Sequence, residues 1–180
     1  LEDSLGKRMV IVTSDLVGLN YEFTEAVARE VGKRHHLSRN DLLLSASHTH
    51  CGPEMRPFVK KSPGYHYPLI DSEFVPPEFA ARIPPYVEWL KGQFIEAIGE
   101  SLAKLTPAAL SFASGQPVPF AVSRRYPDGK GGVLYRSGPS SYYTGGPRDD
   151  TVPVLKITGS GGEIRAIVFG YACHPITLSE

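Results

Sequence analysis

His48 and His50 stand two apart in Ser47-His-Thr-His-Cys-Gly-Pro53, directly after the apolar run Leu42-Leu-Leu-Ser-Ala46. In extended backbone successive side chains alternate sides, so this spacing sends both imidazoles to one face and Thr49 and Cys51 to the other. Two imidazoles on one face can meet one cation. A third, His174, follows a second apolar run, Ile167-Val-Phe169, within Tyr171-Ala-Cys-His-Pro175. Open α/β sheets gather ligand sites at the carboxyl ends of their strands, so His48, His50 and His174 can converge. Three imidazoles suit zinc, with a carboxylate or water completing the shell. Taken alone, His174 reads first as a hydrogen-bonded residue at a strand end; the His48 and His50 pair carries the metal reading.

Further positions accompany this set. Asp15 closes an earlier apolar run, where it is either an acceptor for the N–H of a ligand imidazole or a turn-capping carboxylate. Arg124 and Arg125 open a long loop, as guanidinium groups holding a substrate carbonyl or hydroxyl or as a solvated pair. Cys51 and Cys173 adjoin the histidines, yet alternation turns each away from its neighbour's face, which favours small buried residues over zinc thiolates. A disulfide between them requires adjoining strand ends and an oxidising compartment. His35, His36 and His66 carry no partner pattern and read as solvated. Tyr135, Tyr142 and Tyr143 with Ser140 and Ser141 either wall a pocket or simply pack. Gly129-Lys-Gly-Gly132 is no phosphate loop, because Gly131 stands where that motif needs Ser or Thr.

The elements that must position these residues alternate. Met9-Val-Ile-Val-Thr13 has the β-branched character of a strand buried on both faces. Phe23, Val27, Ala28 and Val31 fall at helical spacing, with Thr24 as N-cap and Gly32 at the end. Leu42 to Ser47 is a second strand, and strand, helix and strand in this order predict a βαβ crossover with parallel pairing. Gly52 to Pro84 is Pro-rich and reads as a long loop. Pro85 opens a helix on Val87, Leu90, Phe94, Ile98, Leu102 and Leu105. Ala108 to Ala113 is a short strand and Gln116 to Pro147 a second long loop. Val152 to Thr158 and Glu163 to Cys173 are strands joined by Gly159-Ser-Gly-Gly162, which predicts antiparallel pairing in this half. The fold class is α/β: a mixed sheet with a βαβ crossover, helices packed on it and two long Pro/Gly-rich loops.

Composition sets the limits. At 180 residues with 41% hydrophobic and 21% charged, the chain holds enough apolar material for one core. Nineteen Lys+Arg balance nineteen Asp+Glu, so no net field collects polyanions and a nucleic-acid partner is not expected. No apolar run approaches the roughly 20 residues of a transmembrane helix. Two cysteines are too few for a disulfide framework. The chain opens on Leu1 with no initiator Met and closes soon after a strand-like run, so residues 1–180 read as part of one α/β metallohydrolase domain cut from a longer protein.

Leu43-Leu-Ser-Ala-Ser-His-Thr-His-Cys-Gly-Pro53, the Ser123-Arg-Arg125 segment, Thr151-Val-Pro-Val-Leu155 and Val168-Phe-Gly-Tyr-Ala-Cys-His-Pro175 together resemble the amino-terminal catalytic domain of the neutral/alkaline non-lysosomal ceramidases, particularly the bacterial ones. The resemblance implies a zinc-dependent amidase that cleaves the N-acyl bond of ceramide, secreted or periplasmic, acting on a lipid-like N-acyl amide, with peripheral membrane contact through regions outside this chain. It implies zinc ligands at His48 and His174, a substrate- or reaction-contacting His50, and a substrate-holding Arg124 or Arg125. In that family a Glu and a Tyr beyond the second His motif complete the shell, so residues 1–180 alone are expected to be inactive. Cys51, Met55 and Pro175 depart from the family pattern, and ceramide specificity does not follow from the resemblance. Two other readings are another metal hydrolase of H-x-H type, and a non-catalytic module in which zinc is structural.

Overall fold

The computed structural model describes residues 1–53, 55, 77–135 and 147–175. They fall into two compact units, Leu1–Leu105 with Pro175–Glu180, and Thr106–His174. Mixed α/β character and the βαβ crossover are present, with the strands distributed over three small sheets among the described residues: one parallel pair, one antiparallel triplet and one antiparallel pair.

The first unit begins with β1 (Val10–Ser14), α1 (Tyr21–His35) and β2 (Leu42–Ala46). β1 and β2 are parallel, in register from Val10 against Leu42 to Ser14 against Ala46. Among the described residues one face of the pair carries the buried side chains. Val10 and Leu42 are buried, whereas Thr13 is exposed and Leu43 is 54% exposed, so β1 is not the two-face-buried strand its apolar run suggests.

α1 is capped by Asn20, whose side-chain oxygen accepts the Phe23 N–H at 2.8 Å. Thr24, the expected cap, lies within the first turn, buried, its hydroxyl donating to the Tyr21 carbonyl at 2.9 Å. Asn and Thr are both good caps, and here the apolar face of the helix claims Thr24. The helix also runs through Gly32 and ends at His36, which takes the left-handed conformation (φ 58°) and donates its N–H to the Gly32 carbonyl. Lys33, Arg34 and His35 in the last turn suit the negative end of the helix dipole. His36 is solvent-exposed as expected, but His35 is half-buried: a Cβ added to Gly99 would sit 3.1 Å from its Nε2.

Inside the stretch expected to be one loop, α2 (Pro77–Ala80) forms a short helix, and α3 (Ile83–Ala103) starts before Pro85, with proline in its first turn. Proline is tolerated there because the first helical N–H groups have no intrahelical partner. Phe94, Ile95 and Ile98 of α3 join Phe23, Val27, Ala28 and Val31 of α1 and Val10 and Leu42 of the strands in one buried cluster. Phe23 meets Phe94 edge to face, with centroids 5.1 Å apart and planes at 89°.

The second unit is built on β3 (Ala108–Gly115), β6 (Val152–Gly159) and β7 (Ile164–Phe169), an antiparallel sheet with β6 in the middle. The β6–β7 turn closes through the Gly159 N–H to the Glu163 carbonyl, with Gly162 at φ 87°. β7 stops at Phe169 and does not extend to Cys173. The expected second loop contains a hairpin, β4 (Arg125–Pro127) with β5 (Val133–Tyr135). Gly129-Lys-Gly-Gly132 is its turn: Gly129 and Gly131 have positive φ, and the Asp128 carboxylate accepts the N–H groups of Lys130 and Gly132 at 2.8 Å each. Those two donors, Lys130 first, hold the Asp128 carboxyl below its ordinary range.

Ile98 is 1% exposed at the centre of the helix-on-strand core. Ile98→Ala is expected to destabilise the first unit by about 2–5 kcal/mol, read from the midpoint of urea unfolding; a loss below about 1 kcal/mol would place the core elsewhere.

Candidate metal centre

Parallel pairing brings the carboxyl ends of β1 and β2 to the same edge. The Ser47 N–H donates to the Ser14 carbonyl at 2.9 Å, extending the ladder one residue past β2, and the chain then turns at His48, whose φ is 59°. A non-glycine residue in this left-handed region costs about 1–2 kcal/mol. The extended backbone expected for His48 to Cys51 is therefore replaced by a turn, in which the Cys51 N–H donates to Thr49 Oγ1 at 3.2 Å. The two imidazoles still meet, centroids 5.2 Å apart and rings at 86°. Both are exposed, and Cys51 is exposed as well, contrary to its expected burial. Strand alternation does not govern side chains on a turn.

Two backbone contacts hold the turn. His48 Nδ1 lies 2.5 Å from the Val17 carbonyl oxygen. A carbonyl only accepts, so Nδ1 carries the proton and the ring's lone pair is on Nε2, the tautomer and anchoring common to metal-ligating histidines. Gly52 packs on the β1 end: a Cβ there would fall 2.6 Å from the Asp15 carbonyl oxygen and 3.2 Å from Thr49 Cγ2. Asp15 thus touches the turn through its main chain, while its side chain is exposed. Neither Val17 nor Gly52 stood out from the sequence, because both act through backbone geometry.

In the second unit, His174 is half-buried beyond the end of β7. Cys173 is exposed rather than buried, its N–H donating to the Tyr171 carbonyl at 3.0 Å. Arg124 is half-buried and Arg125 exposed at the start of β4, where Ser123 Oγ accepts the Arg125 N–H at 3.2 Å. His66, Ser140, Ser141, Tyr142 and Tyr143 lie outside the described residues.

His48 and His50 of the first unit bring two imidazoles to one turn, a donor pair that could hold a metal ion. The donor set fits a borderline-soft divalent cation such as zinc, and the Val17 carbonyl behind His48 fits a ligand imidazole. Among the described residues no helix is long and apolar enough to cross a membrane.

No family model matches the chain, and no curated protein matches it either. Among solved structures the chain is similar to neutral ceramidase from Pseudomonas aeruginosa, with a TM-score of 0.62 at 18% sequence identity, over 99% of this chain and 26% of that one. This chain therefore spans about a quarter of that structure, and what is shared at such identity is the fold.

Because its Cβ would collide with main-chain oxygen, Gly52→Ala must shift the turn. The expected result is zinc affinity reduced about 10-fold to 100-fold with the α1–α3 core still folded, measured by competition against a chromophoric chelator beside circular dichroism. Unchanged affinity would mean that the turn's seat on β1 does not position the ligands.

Proposed function

We propose that this chain carries the metal half-site of a zinc-dependent amidase of the neutral ceramidase type, which hydrolyses the N-acyl amide bond of ceramide or a related N-acyl lipid. The observation that carries the reading is the His48 and His50 pair on one turn, with His48 Nδ1 backed by a main-chain carbonyl. The fold likeness to a neutral ceramidase supports the choice of reaction. The same likeness supports a secreted or periplasmic protein with a lipid-like amide substrate.

In this reading His48 and His174 ligate the metal through imidazole nitrogen. A zinc ion so held supplies Lewis-acid polarisation of a carbonyl and lowers the pKa of water towards about 7. His50, its ring edge-on to His48, is the proton carrier: a neutral imidazole has one acceptor and one donor nitrogen, so it takes a proton from the attacking water and returns one to the leaving amine. The exposure of His48 and His50 lets substrate reach the pair from solvent. Arg124 or Arg125 holds the substrate carbonyl or a hydroxyl through the planar fork of its guanidinium.

The test is metal content and N-acylsphingosine hydrolysis of the full-length protein, beside His48→Ala, His174→Ala and His50→Ala. Near one zinc per chain is expected, lost together with activity in the first two variants. His50→Ala is expected to keep its zinc and lose about 10²–10⁴-fold in kcat. Zinc retained in the His48 and His174 variants, with no hydrolysis of N-acyl substrates by the wild type, would leave a structural zinc module or a different hydrolase.

A further inference from the structure

Tyr171 lies three residues before His174, and its hydroxyl makes three hydrogen bonds to main chain. A phenol offers one donor and two acceptor positions, and here all are used. The Tyr171 hydroxyl donates to the Val118 carbonyl and accepts the N–H groups of Phe120 at 3.1 Å and Ala121 at 2.9 Å. The three main-chain partners lie in the segment that runs directly into Ser123, Arg124 and Arg125. Around this joint, the Val118 N–H donates to the Asp150 carbonyl and the Gly170 N–H to the Pro153 carbonyl, both at 3.0 Å, tying the two segments to the start of β6.

Apolar burial does not hold the 118–122 segment. Phe120 is 84% exposed and Val122 is 42% exposed, while Ala121 has little side chain to bury. What fixes the segment is hydrogen bonding, and the Tyr171 hydroxyl makes three of those bonds at one point. Arg124 follows Ala121 by three residues, just as His174 follows Tyr171 by three.

We infer that Tyr171 is a positioning residue: its hydroxyl sets the segment that presents Arg124 against the strand end that presents His174, so that the substrate-holding guanidinium and a metal-ligating imidazole keep one geometry. The inference rests on the amidase reading above. Tyr171 touches neither metal nor substrate and acts through Arg124. Removal of its hydroxyl takes the partner from the Ala121 N–H and unties the segment from the ring, which stays in place; the Phe120 N–H still donates to the Val118 carbonyl at 2.9 Å.

The experiment compares wild type, Tyr171→Phe, Arg124→Ala and the double variant of the full-length protein by amide hydrogen exchange, zinc content and N-acylsphingosine kinetics. In Tyr171→Phe, exchange at Ala121 is expected to accelerate roughly tenfold. Zinc content stays as in the wild type and KM rises more than kcat falls. The double variant is expected to be no worse than Arg124→Ala alone, because the two changes remove the same interaction. Unchanged exchange at Ala121 overturns the inference. So does accelerated exchange with wild-type kinetics, or losses that multiply in the double variant, and either leaves the amidase reading standing. If the wild type hydrolyses no N-acyl amide, the amidase reading fails and takes the positioning role with it, even where exchange accelerates.

Discussion

The parallel pairing of β1 with β2 is the constraint on which the His48 turn depends. Parallel strands end at the same edge, so the chain leaving β1 at Asp15 and the chain leaving β2 at Ser47 are neighbours although a whole helix separates them in sequence. Each support of the His48 turn is a consequence: Ser47 on the Ser14 carbonyl, His48 on the Val17 carbonyl and Gly52 on the Asp15 carbonyl. All three are main-chain carbonyls on the β1 side, two of them as hydrogen-bond acceptors and the third, of Asp15, as the surface on which Gly52 packs. The pairing in turn depends on the α1–α3 core, whose buried Val27, Val31 and Ile98 hold the crossover helix against one face of the strands.

How far this was legible in the residues varies with the physics involved. The crossover was legible because apolar runs and a 3.6-residue period leave few arrangements that bury them. The choice of Asn20 over Thr24 as N-cap was not, since both can accept the same N–H and only the burial of α1's apolar face separates them. The pairing of His48 with His50 was readable, but for a reason the structure replaces: the rings meet across a turn rather than along an extended strand. That correction also explains why Cys51 and Cys173 are exposed, for alternation breaks down once the chain leaves the ladder. The β4–β5 hairpin escaped notice because its strands are three residues each and its turn is glycine-rich, so nothing in the pattern distinguishes it from a loop.

Main-chain groups organise the candidate site to an unusual extent. In the first unit carbonyls from the β1 end orient an imidazole and seat a glycine; in the second, a single phenol gathers a carbonyl and two N–H groups of a segment with little apolar anchorage. Such contacts leave no signature of residue type at the position supplying the carbonyl, as Val17 illustrates. They do restrict what can stand opposite, and that restriction appears at Gly52 as a need for no side chain and at Tyr171 as a need for a hydroxyl at the end of a ring.

The left-handed backbone of His48 has an evolutionary side. Glycine or asparagine would occupy such a conformation with less strain, so selection for folding alone would favour replacing the very imidazole that the site needs. If His48 ligates metal as proposed, keeping histidine there is a stability–function trade-off localised to one pair of torsion angles, and a library selected only for thermal resistance would drift towards a better-folded chain without that ligand.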